Sequence, residues 1–130
     1  MPNRQEPDPN GKMISFLNND LPVIVGSSIN CHTLGRITFY DSSRHRANVQ
    51  PLPLKSTGQV RAILINCIVP ASLYLVDEKD SLNLLHVGSV VLVGFLDRDA
   101  DNWHGSQPFK LASYRLHSIQ DAIIESVVEN

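Results

Sequence analysis

The chain has 130 residues, 42% of them hydrophobic and 18% charged, with a formal net charge of −2. That balance fits one packed domain and excludes a disordered chain, and the charge excludes a protein that grips nucleic acid by bulk electrostatics. No apolar run approaches the roughly 18 residues a membrane span needs, and the polar, proline-rich start is not a signal peptide, so an intracellular protein is predicted.

Residues 1–12 hold Pro2, Pro7 and Pro9 among Asn, Asp and Gly, with almost nothing to bury, and are predicted to be a flexible arm. Residues 13–130 then form the single domain. From Ile29 the texture alternates: Ile29, Cys31, Ile37 and Phe39 fall on one parity, and His32, Arg36, Thr38 and Tyr40 on the other. This predicts a half-buried strand, with Gly35 marking a bend that lets one strand serve both sides of a small barrel.

A turn at Asp41-Ser42-Ser43 leads to a second strand near His45 to Gln50, which Pro51 and Pro53 end. Gln59 to Val69 is nearly continuous in aliphatic residues and predicts a third strand covered on both faces. Ala71 to His86 reads as an irregular or partly helical connection. Gly88 to Leu96 predicts a fourth strand, and Phe109 to Leu116, beyond an acidic loop, a fifth.

Ser118, with Asp121 three residues on, reads as the cap of a terminal helix carrying Ile119, Ala122, Ile123, Ile124, Val127 and Val128. The order predicts an all-β domain: a five-stranded Greek-key barrel of the oligonucleotide-binding (OB) type with a C-terminal α-helix.

Charge is unevenly spread. Between Asn30 and Asn66, Arg36, Arg44, Arg46, Lys55 and Arg61 face only Asp41, a local +4. Between Val76 and Asp101 six acids face Lys79 and Arg98, a local −4. Arg36, Thr38, Tyr40, Arg44, Arg46 and Arg61 are therefore the predicted single-strand contacts, with Tyr40 as a base-stacking platform. Trp103 and Tyr114 are secondary aromatic candidates. Ile119, Ile123, Ile124, Val127 and Val128 make the predicted helix apolar on more than one face, which points to a protein partner.

The residues bring no catalytic, cofactor or metal motif. Asp97-Arg98-Asp99-Ala100-Asp101 opens like a calcium loop, but Asn102 stands at its glycine position and Pro108 at its final carboxylate. The five histidines lack zinc-ligand spacing, and Cys31 and Cys67 read as small buried hydrophobes. A non-enzymatic protein is expected, with no small-molecule substrate.

Two segments carry a family resemblance. Thr33-Leu34-Gly35-Arg36-Ile37-Thr38-Phe39-Tyr40-Asp41 resembles the Gly-Arg strand, ending in Tyr-Asp, of the smallest (Ten-one) subunit of the CST telomere-capping complex. Val87-Gly88-Ser89 through Gly94-Phe95-Leu96 is similar to that family's Val-Gly-Ser strand. The resemblance implies an OB fold, a nuclear location at telomeres on chromosomes, and pairing with a Stn-one-like OB subunit beside the large CST subunit. It also implies that the assembled complex holds telomeric single-stranded DNA. A replication protein A-like small subunit and an OB interaction scaffold without DNA contact are the alternatives.

Overall fold

The computed structural model describes residues 9–23, 30–80 and 82–130. Five strands form a closed barrel: β1 (His32–Asp41), β2 (Arg46–Pro51), β3 (Leu64–Ile68), β4 (Val90–Phe95) and β5 (Ala122–Glu129). The strand order is β1-β2-β3-β5-β4, with β4 returning to β1 and every pair antiparallel except β3 with β5. A helix between β3 and β4, α2 (Ala71–Asp80), completes an OB-like barrel. It follows α1 (Pro9–Ser15), which precedes the barrel.

β1 holds the barrel together because it pairs on both sides. His32 to Arg36 face β4, and Gly35 to Asp41 face β2, so the two ladders overlap at Gly35 and Arg36. The expected bend at Gly35 is thus where the strand changes partners. The turn after β1 forms as the sequence predicts: the Asp41 carboxylate accepts hydrogen bonds from the Ser43 hydroxyl at 2.7 Å and from the Ser43 and Arg44 amides.

The core is drawn from every strand: Ile37, Val49, Cys67, Val91, Val93 and Ile124 are all completely buried. Leu73 and Tyr74 of α2 pack against this cluster, and Pro70 opens the helix by accepting the Leu73 and Tyr74 amides. The predicted connection after Pro70 is therefore helical over Ala71–Asp80.

Four expectations need correction. The terminal segment is a strand, not a helix. Ser118 does hold one turn, taking the Gln120 amide on its hydroxyl and the Asp121 amide on its carbonyl, but the chain then extends. Its β-branched run, Ile123-Ile124 and Val127-Val128, suits a pleated surface, and β5 gains ladder partners on both β4 and β3. A lone helix of this length would be marginal.

The fifth strand expected at Phe109 to Leu116 does not form, apart from one bridge between Leu116 and Arg98. The Ala112 and Ser113 amides bond the Asp99 carboxylate instead of a ladder. The third strand is shorter than expected and covered on one side only: Leu64 and Cys67 face inward, while Ile65 is 61% exposed. Cys67 is buried, as expected, but Cys31 is exposed.

Of the predicted arm, residues 9–12 belong to α1, and the rest lies outside the described residues. Helical structure continues as a π-helical stretch (Phe16–Asp20) and on through 21–23. No helix among the described residues is long and apolar enough to cross a membrane.

Candidate nucleic-acid interface

In an OB-like barrel the outer face of β2 and β3, with the loops joining β1 to β2 and β4 to β5, is the surface open to ligands. A groove at the barrel end beside the β2–β3 loop and another along β3 and the β4–β5 loop are present, and Ile119 lines both. The first, about 440 Å³, is bounded by the approach to β1, the end of β2 and the approach to β3. Lys55, Arg61 and His32 supply its polar wall, Pro51, Pro53 and Phe95 its apolar wall, and no carboxylate lines it. The Gln50 side chain fixes the backbone beside Arg61, donating from Nε2 to the Arg61 carbonyl at 2.8 Å. His32 is engaged on its other side by Glu125, Nε2 to Oε2 at 3.0 Å.

The second groove, about 410 Å³, lies where β3 and the approach to β5 separate beyond their single pairing at Ile68 and Ile123. Ile63, Ile65, Ile68 and Trp103 give it an apolar wall, and Arg46 and Asp101 stand at its margin. Its floor rests on an ion-pair knot. Arg115 donates from Nε to Asp121 at 2.7 Å and from Nη2 to Asp101 at 2.6 Å. Those bonds, the one to Asp121 first, push the guanidinium further into its charged form. Much of the acidity read from the loop sequence is thereby neutralised or used structurally.

Asp99 is part of the same knot. The Ala112 amide at 3.0 Å, then the amide and hydroxyl of Ser113, hold its carboxyl below the usual carboxylate range. A depressed folded value means stability that is complete above the unfolded value of about 3.9 and lost as pH falls through the folded value. Trp103 is the sole tryptophan and sits in this loop, donating from Nε1 to the Gly105 carbonyl at 2.9 Å. Its emission should hold constant from pH 7 to about 4 and shift to the red only below that, and Asp99→Asn should remove the acid step. A shift centred near pH 6 would contradict this role for Asp99.

The predicted contact residues divide among different surfaces. Arg61 lies in the first groove and Arg46 in the second. Arg36 is exposed on β1, opposite Gln50 of β2, and Arg44 is exposed on the β1–β2 turn. Among the described residues none of these four arginines is ion-paired to a carboxylate. Thr38 is spent on the sheet, its hydroxyl donating to the Asn48 carbonyl at 3.3 Å.

Tyr40 does not project outward. A register shift between Ile37 and Phe39 inverts the alternation, so Tyr40 packs on the core and Phe39 takes the outer face at 55% exposure. Burial first, then the Glu78 and Asp77 carboxylates, raises the Tyr40 phenol above its ordinary value. Tyr40 is thus a core residue beneath α2, where His45 stacks on Tyr74 with ring centroids 3.6 Å apart.

The predicted partner residues are also redistributed. Ile124 is core and Val127 packs against the core, while Ile119 and Val128 are exposed and Ile123 is half-buried. Sequence reasoning missed Lys55 and Phe95 as groove residues. Lys55, in the loop after Pro51 and Pro53, gave no periodic signal, and Phe95 lay inside the predicted fourth strand with nothing to mark it as a groove residue. Tyr114, a secondary candidate, is 95% exposed and lines neither groove.

The sequence matches no protein-family model, and no curated protein is significantly similar to it.

Proposed function

We propose that the chain is a non-enzymatic OB subunit of a CST-like telomere-capping complex in the nucleus, contributing one segment of the path taken by telomeric single-stranded DNA. The observation that carries this reading is the first groove, where Lys55 and Arg61 meet an apolar wall without a lining carboxylate. Phosphates need cations free of competing acids, and bases need flat or apolar faces against which to stack. Arg36 adds an exposed cation on β1 opposite Gln50, whose side chain bonds the Arg61 carbonyl.

Few cations line the groove, so the isolated subunit binds weakly, and affinity comes from joining its path to those of neighbouring subunits. The second groove supports the assembly half of the reading. Ile65, Ile119 and Trp103 are exposed apolar side chains beside Ile63 and Ile68, a surface that suits a protein such as a Stn-one-like subunit. The Gly35-Arg36 and Gly88-Ser89 strands that carry the family resemblance also support it.

Affinity capture of the tagged chain from its native cell, followed by mass spectrometry, tests the assignment. Two larger OB-containing subunits that crosslink to single-stranded telomeric DNA are the expected companions. Recovery with replication protein A subunits would reject the telomeric assignment.

A further inference from the structure

We infer, resting on the reading of the chain as a single-strand binder, that the outer face of β1 and β2 holds a recognition site for one base. Phe39 is its stacking platform, and the Asn48 amide selects bases that present a keto oxygen rather than an amino group. Two irregularities in the sheet build it. From Ile37 to Phe39, β1 advances two residues while β2 advances one, and from Leu64 to Cys67, β3 advances three while β2 advances two. Asn48 therefore lies between two bulges, one on each neighbouring strand, a device that re-aims side chains.

The bulge on β1 turns Phe39 outward at 55% exposure, directly opposite Asn48 in the ladder. Side chains so paired share one face, with Cβ atoms about 5 Å apart. The bulge on β3 puts Asn66 in the left-handed region, at φ +56°, and its backbone amide donates to Asn48 Oδ1 at 3.1 Å. A backbone amide can only donate, so this bond fixes which end of the Asn48 side chain is oxygen. The acceptor is engaged, and the Nδ2 donors meet no acceptor among the described residues.

A base stacked on Phe39 brings its edge to that donor. The bidentate pairing of a free Asn with adenine needs the side-chain oxygen as well as the nitrogen, and here the oxygen is taken. A donor alone favours the keto oxygen of thymine, uracil or guanine and opposes the amino group of cytosine or adenine.

The surroundings suit a nucleic-acid backbone. Arg36 is exposed on β1, and Arg46 shares the outer face of β2 with Asn48 and Gln50. β1, β2 and β3 hold a single acid, Asp41, whose carboxylate accepts from the Ser43 and Arg44 amides. The site also continues the first groove. Gln50, which bonds the Arg61 carbonyl, stands opposite Arg36, and the next outward pair along the ladder is Asn48 with Phe39, about 7 Å further on.

The full chain is titrated into labelled oligodeoxyuridine and oligodeoxycytidine of equal length at neutral pH and low salt. These bases differ at position 4, keto in one and amino in the other. Wild type should bind the uridine oligomer about fivefold more tightly, the worth of one hydrogen bond. Asn48→Asp keeps an oxygen for the Asn66 amide but makes the outward end an acceptor. It should weaken binding to both oligomers through its charge and abolish or invert their ratio. Phe39→Ala should weaken both about tenfold, and Phe39→Trp should restore them. Phe39 is exposed, so neither replacement disturbs the core.

Equal wild-type affinities, a uridine preference that survives Asn48→Asp, or full affinity in Phe39→Ala would each overturn the site. The groove reading would still stand if Lys55→Ala/Arg61→Ala weakened binding in the same assay. A wild-type chain that retains neither oligomer would overturn the single-strand reading and the site with it.

Discussion

Ile124→Asp should abolish the cooperative unfolding transition, while Val128→Asp, four residues along the same strand, should leave it nearly in place. Ile124 is completely buried, opposite Val93 in the β4–β5 ladder, and Val93 is equally buried. A carboxylate there loses its hydration and gains no partner, at a cost of more than about 4 kcal/mol, a large part of the total stability of a domain this size. Val128 is 57% exposed, so its replacement should cost under about 1 kcal/mol, chiefly lost β propensity. Urea denaturation followed by circular dichroism separates these outcomes from a terminal helix, in which neither position need be part of the barrel. If the Ile124→Asp chain unfolded with a wild-type midpoint, β5 would not be a barrel strand.

Gly35→Ala should destabilise the barrel by about 1 to 3 kcal/mol, unusually for a change that normally favours ordered structure. An added Cβ would overlap Val49 Cγ1 and lie 3.2 Å from the Gln50 carbonyl oxygen, and Val49 is a completely buried core residue with no room to withdraw. Two ladders meet at this glycine, so a shift of β1 to relieve the overlap would strain both. A double-mutant cycle isolates the cause: Val49→Ala removes the overlapping methyl groups, so the two changes together should cost at least about 0.5 kcal/mol less than their sum. The Gln50 carbonyl remains, so rescue should be partial. Strict additivity would place the constraint elsewhere.

The motif glycine is thus one place where sequence and structure speak the same language, because a tight strand crossing demands the absence of a side chain. The Gly88-Ser89 pair is another. Gly88 has φ +102°, and the completely buried Ser89 hydroxyl donates to the Leu84 carbonyl at 2.7 Å while the Ser89 carbonyl accepts the Ile37 amide. Four strands, the barrel class and the turn at Asp41 were legible because alternation and turn chemistry are local. What was not legible depended on distant partners.

Residues 118–129 carry both a helix-start signal and a β-branched run, and only the open edges of β3 and β4 decide between them. Phe109 to Leu116 has strand-like residues, but Asp99, ten or more residues upstream, captures the amides a ladder would need. The single irregularity near Thr38 reversed the assignment of Phe39 and Tyr40, since in a strand one extra residue exchanges the two faces. That is why the aromatic drawn from parity left the candidate site, while of the predicted arginines Arg61 lines the first groove and Arg46 the second. Lys55 and Arg61 meet only when the loop after β2 returns to β3, a convergence that no spacing in the chain announces.

The cationic groove is tested most directly by titrating a labelled single-stranded oligonucleotide with the full chain across a salt series, beside the Lys55→Ala/Arg61→Ala double variant. The slope of log affinity against log salt should become shallower by about 1.4 in the variant, two phosphate contacts at about 0.7 each, with binding to duplex weaker throughout. Identical slopes for the two proteins would contradict a DNA path through this groove.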